Sequence, residues 1–448
     1  MDQESYIPTN GNELFAHAQE RFPGGGTQLL SKHPHMRAPG LWPAYYREAH
    51  GCEIIDYDGH HYYDFATNGI AACTLGFNDP DVTAAVVEAV KQGSMCSQNC
   101  YEEVLLADKL CEIHPWAQCV RFARTGGETA AIAARIARAT TNKSGIAICG
   151  YSGWTDWYIA VNLGADEAHF GQVIEGMQPW GVPRELRGTS LAFHSDDFEE
   201  FDKLIEANAD KLAAVFMEPV RWSDPAPGYL EHIREVCTRK GILLIFDEIT
   251  AAWRCTYGGS HKALNVIPDI AIFAKAMSNG HPCGAVIGTK EAMSGANKAF
   301  ISSTYWTERV GSVAALTTLN KMEKLNSSKI ICENGRAFMT DMPKIAAAHG
   351  ISYSFGNSLS WPALIKPKFG SPEESLFFTE QMLLKGFMHS DIGFDVTIAH
   401  TAPIRQLFYD AADEVFDRMA AAKKAGTLAD QLITSGRQTK KGFGRLNK

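Results

Sequence analysis

The sequence has no apolar run approaching the ~20 residues that a membrane-spanning helix needs, so no membrane segment is expected. It has no basic cluster beyond the Lys440-Lys441 pair, and its formal net charge is −9. Nucleic acid and anionic membrane surfaces, which demand positive charge, are therefore not expected partners. It has no CxxC and no other zinc-type spacing. The eleven cysteines are scattered, with Cys96 and Cys100 the nearest pair. Small buried thiols in a reducing compartment are expected, with neither disulfides nor a metal. The opening residues, MDQESYIPTNGNELF, lack the basic and apolar regions of a signal peptide, which points to the cytoplasm. Low-complexity segments and fixed-period repeats are also missing.

What is present is an ordinary globular balance over 448 residues, with 45% hydrophobic and 21% charged. That composition can support a large core, and the length suggests about three segments at ~150 residues each. Residues 1–60 read as a lead-in. FPGGGTQLL supplies a glycine-rich turn, and Asp58-Gly59 between apolar alternations signals a hairpin. Residues 61–330 hold short apolar runs of strand length: GIAIC (145–149), LAAVF (212–216), GILLIF (241–246), DIAIF (269–273) and GAVIG (284–288). Helical spacing appears between several of them, for example in PGYLEHIREVCTRK (227–240). Strands alternating with helices imply an α/β fold with a mostly parallel central sheet flanked by helices. Residues 331–448 read as irregular until a final helical stretch at 405–426. They are expected to form a smaller α/β domain, completed by the N-terminal segment.

In such folds, sites form at the carboxyl ends of strands, and four strand ends carry chemistry. In RFARTGGETAAIAARIARAT (121–140), Thr125, Gly126 and Gly127 precede an alanine-rich helix. Unpaired amides beside glycines make an anion cradle, although a plain strand-to-helix turn would read the same way. In ILLIFDEITAAWR (242–254), Asp247 ends a very apolar strand, and a carboxylate buried there needs a partner such as a cationic ring nitrogen. Lys275, in DIAIFAKAMSNGHP, either snorkels to solvent or is desolvated for Schiff-base chemistry. Tyr151 follows GIAIC as core packing or as a platform for a flat ring; Ile249 shares a sheet face with Asp247 and could cover the ring's other side. A phosphate, an aldehyde, a pyridine nitrogen and a flat ring are the parts of pyridoxal 5'-phosphate.

These motifs resemble the class III aminotransferases of the fold-type I pyridoxal phosphate enzymes, in particular the glutamate-1-semialdehyde aminomutase-like branch. FDEITAAWR, FAKAMSNGHP, RTGGETAAIAARIAR, DYDGHHYYDF and MEPV (217–220) carry the likeness. It implies that Lys275 forms the Schiff base and moves the proton, and that Asp247 keeps the ring nitrogen protonated. Tyr151 and Ile249 would sandwich the ring, while Thr125, Gly126 and Gly127 would hold the phosphate. Thr304, in FISSTYWTERVG, would reach the phosphate of a neighbouring subunit, making a homodimer with shared active sites. The implied activity is ping-pong transfer of an amino group from an amino donor to a carbonyl acceptor. An intramolecular aminomutase and a non-catalytic cofactor-binding protein are the alternatives.

Three departures stand out. The family's usual Asn-Ser-Gly-Thr-Glu turn is Arg124-Thr125-Gly126-Gly127-Glu128 here, so position 127 lacks a hydroxyl. The histidine commonly following the stacking aromatic is Ser152, and the loop after Glu218 is short. Arg221, Arg254, Arg309 and Arg405 are all open as partners for a substrate carboxylate. Trp42, Trp306 and His400 read as packing residues rather than pocket residues.

Overall fold

The computed structural model describes residues 9–163 and 178–434. The chain divides into two compact units: one comprises residues 1–70, 74–79 and 330–448, the other residues 71–73 and 80–329. No helix among the described residues is long and apolar enough to cross a membrane, and none of the described cysteines forms a disulfide.

The larger unit is built on a sheet of seven described strands. Across it the order is Cys119–Ala123, Gly284–Gly288, Ile270–Phe273, Leu243–Asp247, Leu212–Met217, Gly145–Cys149 and Ser190–Ala192. Only Gly284–Gly288 runs against its neighbours; the other six strands share one direction. The middle strands are buried on both faces, which is why they read as unbroken apolar runs. Tyr229–Lys240 packs Tyr229, Leu230, Ile233 and Val236 against alternate strand residues Val215, Met217, Leu244 and Phe246. The helix Gly126–Thr141 crosses the same central strands. Complete burial of side chains such as Phe216 and Phe246 stabilises by about 1.5–3 kcal/mol each.

Because six strands run the same way, their carboxyl ends lie along one edge of the sheet. Ala123, Cys149, Met217, Asp247 and Phe273 are the last residues of five of them. The five chain segments that leave this edge carry Thr125, Tyr151, Glu218, Ile249 and Lys275. This edge therefore gathers residues far apart in the chain.

The smaller unit contains a four-stranded sheet in the order Tyr46–His50, Glu53–Asp56, His61–Phe65 and Phe387–His389. The first three strands form an antiparallel meander, and the last is parallel to His61–Phe65. The expected Asp58-Gly59 hairpin joins the second and third. Asp56 Oδ1 accepts from the amides of Asp58 (2.9 Å) and His60 (2.8 Å), while Gly59 supplies a φ of 93°. An aromatic core follows, with Phe65 stacked on Phe408 at 4.3 Å and tilted against His400 at 4.8 Å. His400 is fully buried, its Nε2 2.8 Å from the Asp64 carbonyl and its Nδ1 accepting from the Thr397 amide at 3.0 Å. It is a packed structural histidine. Trp42 likewise packs among Ala38, Ala66, Leu383 and Met388.

The region from residue 330 is more regular than its sequence suggests. Helices span Ser327–Ala348, Pro372–Leu384 and Ala402–Ala425. The first carries Pro343 in its interior, which disguised it. In the second, Glu374, Ser375, Thr379, Glu380 and Gln381 are buried along with the apolar residues. Buried polar groups erase the one-sided pattern by which an amphipathic helix is recognised. Glu380 is retained there because it accepts from the amides of Ile433 and Thr434, each at 2.8 Å.

Candidate active site

The helix Gly126–Thr141 begins two residues earlier than its alanine-rich sequence suggests, and Thr125 is its N-cap. Thr125 Oγ1 accepts from the Glu128 amide at 3.3 Å, and Glu128 Oε2 accepts from the amides of Thr125 and Arg124, both at 2.9 Å. This reciprocal cap occupies two amides ahead of the helix. Those of Gly126 and Gly127, in the first turn, have no intrahelical acceptor. A Cβ at Gly126 would lie 2.9 Å from Ile249 Cδ1, so the glycine is what lets Ile249 reach the cradle. The Arg124 charge is directed elsewhere: its Nη2 donates to the carbonyls of Trp306 (2.9 Å) and Glu308 (2.6 Å), and its Nε lies 3.0 Å from Glu308 Oε1.

Asp247 is 2% exposed at the end of its strand. Its Oδ2 accepts from Ser152 Oγ and its Oδ1 from the Ile249 amide, both at 3.1 Å. Ser152, standing where the family commonly has histidine, therefore holds the carboxylate directly. Burial, then the nearby negative charge of Glu218, raises the Asp247 pKa well above the carboxylate range; the Ile249 and Ser152 hydrogen bonds and the Lys275 charge oppose the shift. A buried acid poised in this way is completed by a cation, as a protonated ring nitrogen would be.

Glu218 went unassigned in the sequence beyond its place in MEPV. Its carboxylate accepts from the Tyr151 amide at 3.0 Å and pairs with Arg221 Nη1 at 2.9 and 3.1 Å. Gly150 sits against it, with φ 97° and a hypothetical Cβ 2.7 Å from Glu218 Oε2. Glu218 thus sets the backbone that presents Tyr151, whose ring meets Tyr158 edge-on at 5.9 Å. Tyr158 in turn donates to the Gly150 carbonyl at 2.9 Å.

Lys275 follows strand Ile270–Phe273 and adopts φ 46°, a left-handed conformation that costs a side-chain-bearing residue roughly 1–2 kcal/mol. Strain of this kind concentrates where a side chain must be aimed. Its Nζ donates to Thr250 Oγ1 at 2.9 Å. Thr250, three residues beyond Asp247, was invisible as a site residue because only the fold brings it to the amine.

The 304–307 turn leaves Thr304 exposed, and Trp306 Nε1 donates to Glu128 Oε1 at 3.1 Å. Trp306 therefore braces the helix cap. Two of the four candidate arginines are committed within the larger unit. Arg254 is 1% exposed, with Nε on the Thr250 carbonyl at 2.7 Å and Nη2 on the Ala71 carbonyl. Arg309 holds Glu102 at 2.8 and 2.6 Å. Arg405, in the smaller unit, donates to Asn334 Oδ1 and the His400 carbonyl, both at 2.6 Å. Arg221 is engaged with Glu218, but its side chain keeps 36% exposure.

Donor amides beside glycines, a buried acid with a raised pKa and an amine held on a hydroxyl thus share one sheet edge, and they fit pyridoxal phosphate. The comparisons with known proteins agree. Residues 37–353 match the family model for class-III aminotransferases. The chain is 31% identical over 350 residues to a 3-aminobutyryl-CoA aminotransferase of Cloacimonas acidaminovorans, covering 76% of this chain and 80% of that one. It is 30% identical over 435 residues to a glutamate-1-semialdehyde 2,1-aminomutase of Desulfovibrio desulfuricans, covering 91% and 100%. The fold matches the solved FumI protein of Sphingopyxis sp. MTA144 in its pyridoxal phosphate form, with a TM-score of 0.82 at 20% identity, covering 93% and 98%. The chain belongs to the class-III aminotransferases, fold-type I enzymes that use pyridoxal phosphate to transfer amino groups.

Proposed function

We propose that Lys275 is the amine that takes up the cofactor, and that Asp247 holds the proton on its ring nitrogen. When bound, pyridoxal phosphate supplies an aldehyde that condenses with amines and a protonated ring that accepts the electron pair freed at the substrate carbon. Asp247, fixed by Ser152 and Ile249, keeps that ring nitrogen charged. Lys275 Nζ removes the proton from the substrate carbon and returns it at the neighbouring position, with Thr250 Oγ1 holding the amine in line. Tyr151 and Ile249 flank the ring, and Thr125, Gly126 and Gly127 receive the phosphate. The observation that carries this reading is the pairing of a strained, hydroxyl-anchored Lys275 with a buried Asp247 at one sheet edge.

The active unit in this reading is a homodimer in the cytoplasm, with Thr304 reaching the phosphate site of the second subunit. Support comes from the exposed turn that carries Thr304 and from the large apolar side chains beside it, Phe300 at 83% and Tyr305 at 69% exposure. Apolar surface of that kind is typical of a face that becomes covered.

The substrates are an amino donor and a carbonyl acceptor used in alternating half-reactions. An aminomutase is the second reading, favoured by the full-length similarity to a glutamate-1-semialdehyde aminomutase. A panel of amino donors and carbonyl acceptors separates the two. A transaminase loses its visible absorption with a donor alone and regains it only with an acceptor. Continuous product formation from one substrate without any acceptor would establish the mutase instead. Bound cofactor that no donor alters would point to a non-catalytic protein.

A further inference from the structure

Position 127 is glycine where the family's turn carries a threonine, so one phosphate donor is missing from the helix N-terminus. The space is filled from another strand end. A Cβ built on Gly127 would lie 3.2 Å from both Cδ1 and Nε1 of Trp154, so the N–H edge of the indole faces the first turn of the helix. The approach depends on a second glycine. Gly153 has φ 101°, and its own Cβ would lie 3.0 Å from Gly127 Cα, so a side chain at 153 would press on the backbone of the helix start. Trp154 is 73% exposed, and its N–H has no protein acceptor among the described residues. By contrast, the other indole at this cap, that of Trp306, is bound to Glu128.

The donor count makes the indole significant. Glu128 occupies the amides of Arg124 and Thr125 and also engages the Thr125 hydroxyl, which leaves the amides of Gly126 and Gly127 for a dianion. We propose that Trp154 is a cofactor-binding residue whose indole N–H takes over the role of the hydroxyl missing at position 127, donating to the cofactor phosphate. The inference rests on the reading of this helix N-terminus as the phosphate site. It also accounts for the glycine at 127: a Cβ there would sit 3.2 Å from the indole, closer than ordinary contact, so threonine and the indole compete for the same space.

The test compares pyridoxal phosphate with pyridoxal, which lacks the phosphate, by titrating cofactor-free protein. Trp154→Phe keeps an aromatic ring but loses the pyrrole half of the indole together with its N–H. It is expected to weaken pyridoxal phosphate binding about tenfold or more, the usual effect of losing a hydrogen bond to a charged group. Pyridoxal affinity should stay unchanged. Trp154→Ala combined with Gly127→Thr should recover most of the lost affinity by restoring the hydroxyl. Equal binding of pyridoxal phosphate by Trp154→Phe and the parent would overturn the assignment, as would equal losses for both ligands. Failure of the parent to form a borohydride-trapped adduct at Lys275 would instead overturn the reading of the site itself.

Discussion

The Lys275 amine and the Thr250 hydroxyl form a 2.9 Å hydrogen bond between two loops that leave neighbouring parallel strands. One loop begins at Asp247 and the other just past Phe273, so the contact ties the acid's loop to the amine. Arg254 secures Thr250 from behind by donating to its carbonyl at 2.7 Å. The amine proposed to move the proton is thus positioned by two buried residues, Thr250 at 8% and Arg254 at 1% exposure.

Thr250→Val preserves the shape and removes the acceptor. Cofactor content should be unchanged while turnover falls about tenfold, the value of one hydrogen bond lost from a charged group. Absorbance for content and steady-state rates for turnover test this. A fall in content matching the fall in rate would contradict the positioning role.

Asp247 makes the cofactor-free protein sensitive to pH. Burial and Glu218 raise its pKa to about 8, above its unfolded value of roughly 4. The folded chain then holds this proton more tightly than the unfolded chain. The resulting stability is complete below the unfolded value and is lost as pH rises through the folded one. Urea unfolding of cofactor-free protein should therefore show declining stability from about pH 5 to about pH 8. Asp247→Asn, which cannot ionise, should flatten that decline and reduce transamination by about a hundredfold or more. Identical pH slopes in the two proteins would contradict this role for the burial.

Gly150→Ala tests the support beneath Tyr151. The new methyl would meet Glu218 Oε2 at 2.7 Å on a backbone of φ 97°. Destabilisation of about 1–3 kcal/mol is expected from the strained conformation, read by urea denaturation. A change within about 0.5 kcal/mol, typical of neutral surface positions, would show that the loop relaxes freely.

The proposed sharing of each site between two subunits can be checked by mixing. Sedimentation should give twice the 49.1 kDa chain mass. Thr304→Ala should weaken cofactor binding about tenfold. Refolding Thr304→Ala together with Lys275→Ala should restore one sound site per mixed dimer. A fully active monomer would contradict the arrangement.

Much of this was legible in the chain because the physics is local. The strands ending at Cys149, Met217, Asp247 and Phe273 are buried on both faces, so their apolar runs announce both the strand and the residue at its mouth. Lys275 and Asp247 stand out because each follows such a run. Thr250, Glu218 and Trp154 do not, since their roles depend on which loops meet at the sheet edge, and that follows from strand order rather than from neighbours in sequence. The helices at 327–348 and 372–384 were hidden by an internal proline and by buried polar groups. The glycine at 127 was visible as a departure, but the indole that explains it lies on a different strand end.

The central claim is that Lys275 is the cofactor's covalent partner. Borohydride reduction of the cofactor-loaded protein, followed by peptide mass spectrometry, tests it most directly. The account requires a single pyridoxyl-modified peptide with the added mass on Lys275. Modification of a different lysine, or none in folded and loaded protein, would contradict it.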